Sequence, residues 1–294
     1  MKDKDTQTPF LPYEPDGLDE GRGPRLREIP FRMLIPNLIT VMAICAGLTG
    51  IRLAFENRFE MAVAMVLLAA FLDGIDGRVA RLLKAQSKFG AQMDSLADIV
   101  NFGVAPALVL YVFILDQARS FGWIAAIVYT VAAGLRLARF NVISETDSRP
   151  IWLKYYFVGV PAPAGALLVL LPVYFGFLGL PIDRSTGFVA AAYTMFIGFL
   201  LVSRVPVYSG KSISSGVRRD LFMPFILLAV VYVSLLMSFT WETLTLTAIV
   251  YLASLPFGAA AWSRKYGPKA RAKKAADATA ATTPAPPDND TKSD

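Results

Sequence analysis

Hydrophobic residues along the chain are gathered into eight long stretches, and short polar or charged segments separate them. Each stretch is about 18–26 residues long, which matches a helix that crosses the hydrocarbon core of a bilayer. The pattern therefore predicts an all-α fold, a polytopic bundle of transmembrane helices. The predicted spans are 36–54, 60–82, 90–115, 121–143, 157–178, 187–204, 221–239 and 243–262.

The amino-acid composition supports this interpretation. Of the 294 residues, 55% are hydrophobic and only 18% are charged, whereas about a quarter of the residues of a typical soluble domain are charged. A water-soluble globule of this size could not bury so much apolar surface. The chain contains no histidine and one cysteine, Cys45, which excludes histidine-dependent catalysis, an internal disulfide and a multi-cysteine metal site.

Lysine and arginine residues predict the orientation in the membrane. An even number of spans places both termini on one side of the bilayer. All but four of the 29 lysines and arginines fall on that same side, and the exceptions are Arg52, Arg58, Arg119 and Arg184. Because cytoplasmic segments next to spans are enriched in lysine and arginine, both termini are predicted to be cytoplasmic, in a cell (inner) membrane.

The same pattern predicts three regions. Residues 1–33 are expected to form a polar N-terminal tail with an interfacial segment, and residues 34–264 the transmembrane domain. Residues 265–294 are expected to form a disordered, low-complexity, basic tail. Beside a membrane domain, the expected partners of such a tail are anionic lipid headgroups and not nucleic acid.

Four acidic residues interrupt two of the apolar stretches. Asp73 and Asp76 lie in the second stretch, and Asp94 and Asp98 lie in the third. An acidic residue at the bilayer centre costs about 2.5–3.5 kcal/mol, so these carboxylates are expected to face one another, a cation or a water-filled cavity. Helical periodicity places the members of each pair on one face. The connection between the two stretches is short, which makes the helices antiparallel neighbours.

Carboxylates that converge in this way repel one another unless cations neutralise them, and all-oxygen ligands select hard divalent ions such as Mg²⁺ or Mn²⁺. Small residues on the same faces, Gly77, Ala80 and Gly90, leave room for a ligand near the backbone. Arg81 is suited to a phosphate group. Two alternatives stay open: the aspartates pair structurally with nearby arginines or lysines, or they form the ion relay of a cation-coupled transporter.

Residues 73–98 form the motif D-x2-D-G-x2-A-R-x8-G-x3-D-x3-D. All eight fixed positions, with their spacing, are similar to the signature of the CDP-alcohol phosphotransferase family. The resemblance implies a helical membrane enzyme with a six-helix catalytic core that opens to the cytoplasm, usually as a homodimer. It also implies that the enzyme displaces CMP from a CDP-linked lipid or alcohol.

Further segments resemble the integral-membrane phosphatidylserine synthases within this family. They are PNLIT at 36–40, SLADIVNFGVAP at 95–106, LRLARFN at 135–141 and FVGVPAP at 157–163. This resemblance implies transfer of the phosphatidyl group from CDP-diacylglycerol to the hydroxyl of L-serine, which gives phosphatidylserine and CMP. The same chemistry with glycerol 3-phosphate, inositol phosphate or choline as the acceptor is the nearest alternative.

The family pattern implies a role for each residue of the motif. Asp73, Asp76, Asp94 and Asp98 would hold two divalent ions, Mg²⁺ or Mn²⁺. Asp98 would also be the catalytic general base that takes the proton from the acceptor hydroxyl. The residues implied to bind CDP-diacylglycerol are Asn37, Thr40, Gly77, Ala80, Arg81, Ser87 and Gly90.

The serine substrate would need its own contacts. Arg136 and Arg139 lie three residues apart near the cytoplasmic end of the fourth span, and either could bind the serine carboxylate. Asn101 shares the helical face of the third-span aspartates and is expected to contact serine. Asn141 is the fourth candidate for this subsite.

Overall fold

The computed structural model describes residues 31–145, 156–203, 206–208 and 219–266. Most of both predicted tails, at 1–30 and 267–294, therefore lies outside the described residues. The basic residues of those tails that were used to predict the orientation lie outside too, as do five basic residues between the predicted spans, which are Arg149, Lys154, Arg204, Lys211 and Arg218.

The described residues form ten α-helices and two short strands, joined by one π-helical turn and one 3₁₀ turn. The chain order is α1 Phe31–Phe55, α2 Phe59–Leu82, α3 Lys88–Asp98, the π-helical turn Ile99–Val104, α4 Ala105–Phe113, the 3₁₀ turn Leu115–Ala118, α5 Ser120–Glu145, β1 Tyr156–Val158, α6 Ala162–Val169, α7 Leu171–Phe177, α8 Arg184–Val202, β2 Pro206–Tyr208, α9 Arg219–Ser238 and α10 Thr240–Tyr266.

The helical membrane bundle that the sequence predicts is confirmed. Each of the eight apolar stretches is occupied by one helix or by two helices in succession within the described residues. Four helical segments are long and apolar enough to cross a membrane by length and composition, and two shorter apolar helices accompany them. The four are Leu34–Phe55, Lys88–Phe113, Ser120–Ile143 and Arg184–Val202.

The structure differs from the prediction at the start of the fifth span. Residues 157 and 158 belong to β1 and not to a helix, and β1 pairs with β2 in an antiparallel ladder that places Tyr156 opposite Tyr208. The helix begins only at Ala162, after Pro161, and it is interrupted at Leu170 before α7. Proline cannot donate a backbone hydrogen bond, so it favours a helix start over a helix interior.

The helix of the third span changes its pitch directly after Asp98, at the π-helical turn Ile99–Val104. Pro106 lacks a backbone N–H, so it cannot donate to the carbonyl of Phe102, which lies four residues earlier. The hydroxyl of Tyr129 in α5 donates to that carbonyl at 2.9 Å. The wide turn therefore has a local cause, and the neighbouring helix supplies the missing donor.

The bundle is held together by one continuous apolar core, and its outer surface is also apolar. Buried residues of α1, α2, α4, α5, α8 and α10 contact one another, with Tyr129 and Tyr174 among the largest fully buried side chains. Large apolar side chains on the outside, such as Phe71 and Phe199, are 65% and 70% exposed. Water would disfavour such a surface, whereas lipid accommodates it.

Gly122 allows the 3₁₀ turn to pack against α5, because a Cβ at this position would overlap the carbonyl oxygen of Leu115. We predict that Gly122→Ala lowers the free energy of unfolding by about 1–3 kcal/mol through overpacking. The matched control is Gly134→Ala in the same helix, where a Cβ would meet no atom within 4 Å. Thermal unfolding in detergent measures both variants, and equal stability of the two would contradict this account of the packing.

Candidate metal and phosphate site

Helices α2 and α3 bring three of the four predicted acidic residues together. Asp73 and Asp76 lie three residues apart on α2, and Asp94 faces them from α3. One carboxylate oxygen of each residue lies within 4.8 Å of the others. Asp76 is only 2% exposed. The short turn between the helices places all three side chains at the same end of the bundle.

The chemistry of this acidic triad fits a hard divalent cation, since every available donor is a carboxylate oxygen. The Oδ1 atoms of Asp73 and Asp76 are buried, and within the described residues they have no hydrogen-bond partner. The one ion pair found in that part of the chain joins Arg52 and Glu56. The alternative in which the aspartates pair with Arg78, Arg81 or Lys88 is therefore not supported by the geometry.

Helix α1 holds Asp76 from the side opposite to α3. The hydroxyl of Thr40 lies 2.6 Å from Asp76 Oδ2 and 3.1 Å from the carbonyl oxygen of Pro36. A hydroxyl has one proton to donate, and the shorter distance assigns it to the carboxylate. Asp76 thus has one oxygen fixed by Thr40 and one oxygen left for a cation.

A cavity of about 370 Å³ opens beside the triad. Asp76 and Asp94 form part of its wall. All seven residues predicted to bind the CDP-linked substrate also line it, and they are Asn37, Thr40, Gly77, Ala80, Arg81, Ser87 and Gly90. The lining residues come from α1, α2, the α2–α3 turn and α3, so the cavity lies where these elements meet.

The N-terminus of α3 faces this cavity. Ser87 is its N-cap, and the Ser87 hydroxyl oxygen accepts a hydrogen bond from the Gly90 N–H at 3.0 Å. Ser87, Gly90 and Ala91 all line the cavity, with Arg81 across from them on α2. A helix N-terminus and a guanidinium are both suited to binding an anion. The cavity therefore has carboxylates on one wall and groups suited to binding an anion on another.

The two glycines of the motif have different surroundings. A Cβ at Gly77 would meet no atom within 4 Å, so this position leaves open space in front of the cavity wall. A Cβ at Gly90 would lie 3.0 Å from Asn37 Oδ1 and 3.1 Å from Ser87 Oγ. Gly90 was expected to leave space for a ligand, but the structure places the Asn37 side chain there. Its small size lets α1 approach α3.

Asp98 lies beside the triad but is not part of it. Asp98 lies one turn beyond Asp94 on α3. Its carboxyl group is within hydrogen-bonding reach of Asp73. It also interacts electrostatically with Arg136 of α5. Asp98 therefore stands between the acidic triad and the first of the predicted serine-binding residues.

The two predicted arginines have different contacts. Arg136 is 9% exposed, and its Nε donates to the carbonyl oxygen of Val160 at 3.0 Å. Arg139 donates to three carbonyl oxygens at the C-terminus of α8, those of Val202 at 2.8 Å, Leu201 at 3.2 Å and Ser203 at 3.3 Å. Unpaired carbonyls at a helix end favour a cation. Arg139 is thus engaged with α8, whereas Arg136 points toward Asp98.

The two predicted asparagines also have different surroundings. Asn141 Nδ2 donates to the Ser95 hydroxyl at 3.0 Å and so links α5 to α3. Asn101 lies in the π-helical turn, is fully buried, and finds no partner for either polar atom of its amide among the described residues. Its Oδ1 packs beside Gly47 of α1, where a Cβ would lie 2.5 Å away. The cavity lining includes neither asparagine.

Sequence reasoning missed Gln86, whose side chain lines the cavity from the turn between α2 and α3. No periodicity or motif marks this residue. It also missed the capped N-terminus of α3, although a serine just before the helix was an available signal, since serine is among the preferred N-cap residues.

Comparison with known proteins agrees with this geometry. The CDP-alcohol phosphatidyltransferase family matches residues 33–205, which is more than half of the chain. The chain belongs to this family. The matched segment runs from α1 through α8 and contains every residue of the acidic triad and of the cavity lining. A second family description, CDP-alcohol phosphatidyltransferase 2, matches residues 220–256 of α9 and α10.

Three relatives of this CDP-alcohol phosphatidyltransferase family member share the name CDP-diacylglycerol–serine O-phosphatidyltransferase. The Mycobacterium leprae (strain TN) protein is 38% identical over 239 residues, 80% of this chain and 77% of that protein. The Mycobacterium tuberculosis (strain ATCC 25618 / H37Rv) protein is 42% identical over 198 residues, 65% and 66% of the two chains. The Helicobacter pylori (strain ATCC 700392 / 26695) protein is 32% identical over 219 residues, 74% and 88%.

The bond from Thr40 to Asp76 generates a prediction about metal binding. Removing an outer partner of a ligand weakens metal affinity about 10- to 100-fold, so Thr40→Val should weaken Mn²⁺ binding by about tenfold. Thr49→Val is the control, because the Thr49 hydroxyl bonds the Cys45 carbonyl on an exposed part of the same helix. Electron paramagnetic resonance of free Mn²⁺ during titration measures both variants. The same affinity in the two variants would contradict a role for Thr40 at the site.

Proposed function

We propose that this protein transfers the phosphatidyl group of CDP-diacylglycerol to the hydroxyl of L-serine, which yields phosphatidylserine and CMP. Family membership supports the transfer from a CDP-linked substrate. The names of relatives at 32–42% identity support serine as the acceptor. The protein is thus assigned as a transferase of phospholipid synthesis.

The observation that carries the proposal is the convergence of three carboxylates on the wall of one cavity. Asp73, Asp76 and Asp94 gather at the end of the α2–α3 hairpin. The cavity beside them offers the α3 N-terminus and Arg81 to an anion. A diphosphate bound to divalent ions is the ligand whose charges match both walls.

The acidic triad and Asp98 are proposed to hold two divalent ions, Mg²⁺ or Mn²⁺. The chemistry that such ions supply at a diphosphate is neutralisation of the phosphoryl oxygens and of the departing phosphate. Thr40 fixes the orientation of Asp76 for this purpose. Asn37, Gly77, Ala80, Ser87 and Gly90 complete the proposed binding site for CDP-diacylglycerol, together with Thr40 and Arg81.

Asp98 is proposed as the general base. It takes the proton from the serine hydroxyl as that oxygen forms a bond to the phosphorus on the lipid side of the diphosphate. The bond from this phosphorus to the bridging oxygen breaks, and its electron pair leaves with CMP. One bond forms and one breaks, so no covalent intermediate with the enzyme is required. The interactions of Asp98 with Asp73 of the triad and with Arg136 support this assignment.

Arg136 is the proposed partner of the serine carboxylate. Its guanidinium faces Asp98, and its terminal nitrogens have no hydrogen-bond acceptor among the described residues. Arg139, the other predicted partner, is assigned to the C-terminus of α8 instead. Asn141 is proposed to link α5 to α3 through its bond to Ser95. Asn101, whose buried amide has no partner among the described residues, stays a predicted contact of serine.

The active site is proposed to face the cytoplasm from the cell (inner) membrane. Four basic residues lie at the same end of the bundle as the acidic triad, in or next to the α2–α3 turn: Arg78, Arg81, Lys84 and Lys88. The positive-inside rule places this end in the cytoplasm. The homodimer that the family resemblance implies stays a prediction.

A reconstituted assay tests the function. Purified protein with CDP-diacylglycerol, Mn²⁺ or Mg²⁺ and radiolabelled serine should release CMP, and should do so more efficiently than with glycerol 3-phosphate, inositol phosphate or choline. Asp98→Asn should lower turnover by about 10²–10⁴-fold because a positioned base is lost. Asp116→Asn is the control. Asp116 lies in the 3₁₀ turn that follows α4, and it accepts a hydrogen bond from the Tyr111 hydroxyl.

Three results of this assay would contradict the proposal in different ways. Absence of serine-dependent CMP release by the unmodified protein would overturn serine as the acceptor. If no acceptor tested gave CMP release, a transporter would be favoured. Full turnover by Asp98→Asn would leave the reaction in place and remove Asp98 as its base.

A further inference from the structure

The last helix, α10, carries a polar atom without a partner. The Tyr251 hydroxyl is buried, and within the described residues nothing hydrogen-bonds to it. Tyr129 and Tyr193 differ, since they donate to the backbone carbonyls of Phe102 and Leu168. The Tyr174 hydroxyl is also buried without a partner among the described residues, but Tyr251 is the one that interacts with a buried guanidinium. Buried hydroxyl groups are normally paired because leaving one unpaired is costly. Tyr251 therefore indicates a missing partner.

Tyr251 lies near a second group that lacks acceptors. It interacts electrostatically with the guanidinium of Arg136, which also interacts with Asp98. Arg136 uses Nε for the Val160 carbonyl, and its terminal nitrogens meet no hydrogen-bond acceptor among the described residues. Arg136 thus interacts electrostatically with both Asp98 and Tyr251.

The missing partner must be a hydrogen-bond acceptor with negative charge. A guanidinium offers only donors, and a tyrosine hydroxyl can donate beside it. A carboxylate has two oxygens and accepts from both groups at once. Under the proposed function, the acceptor amino acid carries such a carboxylate, whose carbon lies three bonds from the hydroxyl oxygen that Asp98 activates.

We propose that Tyr251 is a specificity-determining residue of the acceptor subsite, where its hydroxyl and Arg136 together bind the carboxylate of serine. This inference rests on the proposed function and extends it to α10. It gives the final helix a part in choosing the acceptor. A site built around these donors rejects amino alcohols that lack a carboxylate, because the buried groups would then stay unpaired.

The Tyr251→Phe variant tests this subsite. Loss of one hydrogen bond to a charged group should raise KM for serine by about tenfold. Turnover at saturating serine and KM for CDP-diacylglycerol should not change. Serine methyl ester, which has no carboxylate, should be used equally poorly by the variant and by the unmodified protein. The matched control is Tyr232→Phe, since the Tyr232 hydroxyl bonds Thr247 on the exposed side of the α9–α10 pair.

Each outcome decides the proposal. An unchanged KM for serine would overturn it, as would an equal rise with serine and with its methyl ester. A variant that loses thermal stability in the absence of serine would assign the hydroxyl to packing and would also overturn it. If the unmodified protein releases no CMP with serine, the proposed function itself fails, which is a separate result.

Discussion

Mutual repulsion between buried carboxylates is the constraint on which the rest of this structure depends. Four acidic residues facing lipid would cost on the order of 10 kcal/mol, and the fold avoids this by turning them toward the interior of the α2–α3 hairpin. There Asp73, Asp76 and Asp94 approach within 4.8 Å, where the low dielectric strengthens their repulsion. A bound cation would offset this repulsion. Thr40 bonds one oxygen of Asp76 and leaves the other free to bind such a cation.

Two different sets of side chains lie near this acidic cluster. The cavity on one side collects groups suited to a nucleotide diphosphate, the α3 N-terminus and Arg81 among them. Neither Arg136 nor Tyr251 lines that cavity, and the two interact electrostatically with each other. Asp98 interacts both with Arg136 and with Asp73 of the triad. Asp98 thus connects the acidic cluster to the group proposed to bind the acceptor.

The sequence predicted the bundle from local patterns. The resemblance to the family supplied the seven predicted substrate-binding residues that line the cavity, but not Gln86. Spans follow from runs of apolar residues, and the spacing of the aspartates fixes the faces that meet. The π-helical turn was not predicted: Pro106 is its local cause, but the donor that pairs the Phe102 carbonyl comes from Tyr129 of another helix. The contacts of Arg139 with α8 likewise join residues more than sixty positions apart. The position of the Asn37 side chain beside Gly90 was not predicted either, because it depends on the contact between α1 and α3.

The most direct test of the central claim is a crystal structure of the full chain grown with Mn²⁺, using the anomalous signal of the ion. The account predicts manganese between α2 and α3, bonded to carboxylate oxygens of Asp73, Asp76 and Asp94 at about 2.0–2.2 Å, as expected for a hard divalent ion. A map with no anomalous peak at these residues, or with their carboxylates bonded to arginine or lysine side chains, would contradict it.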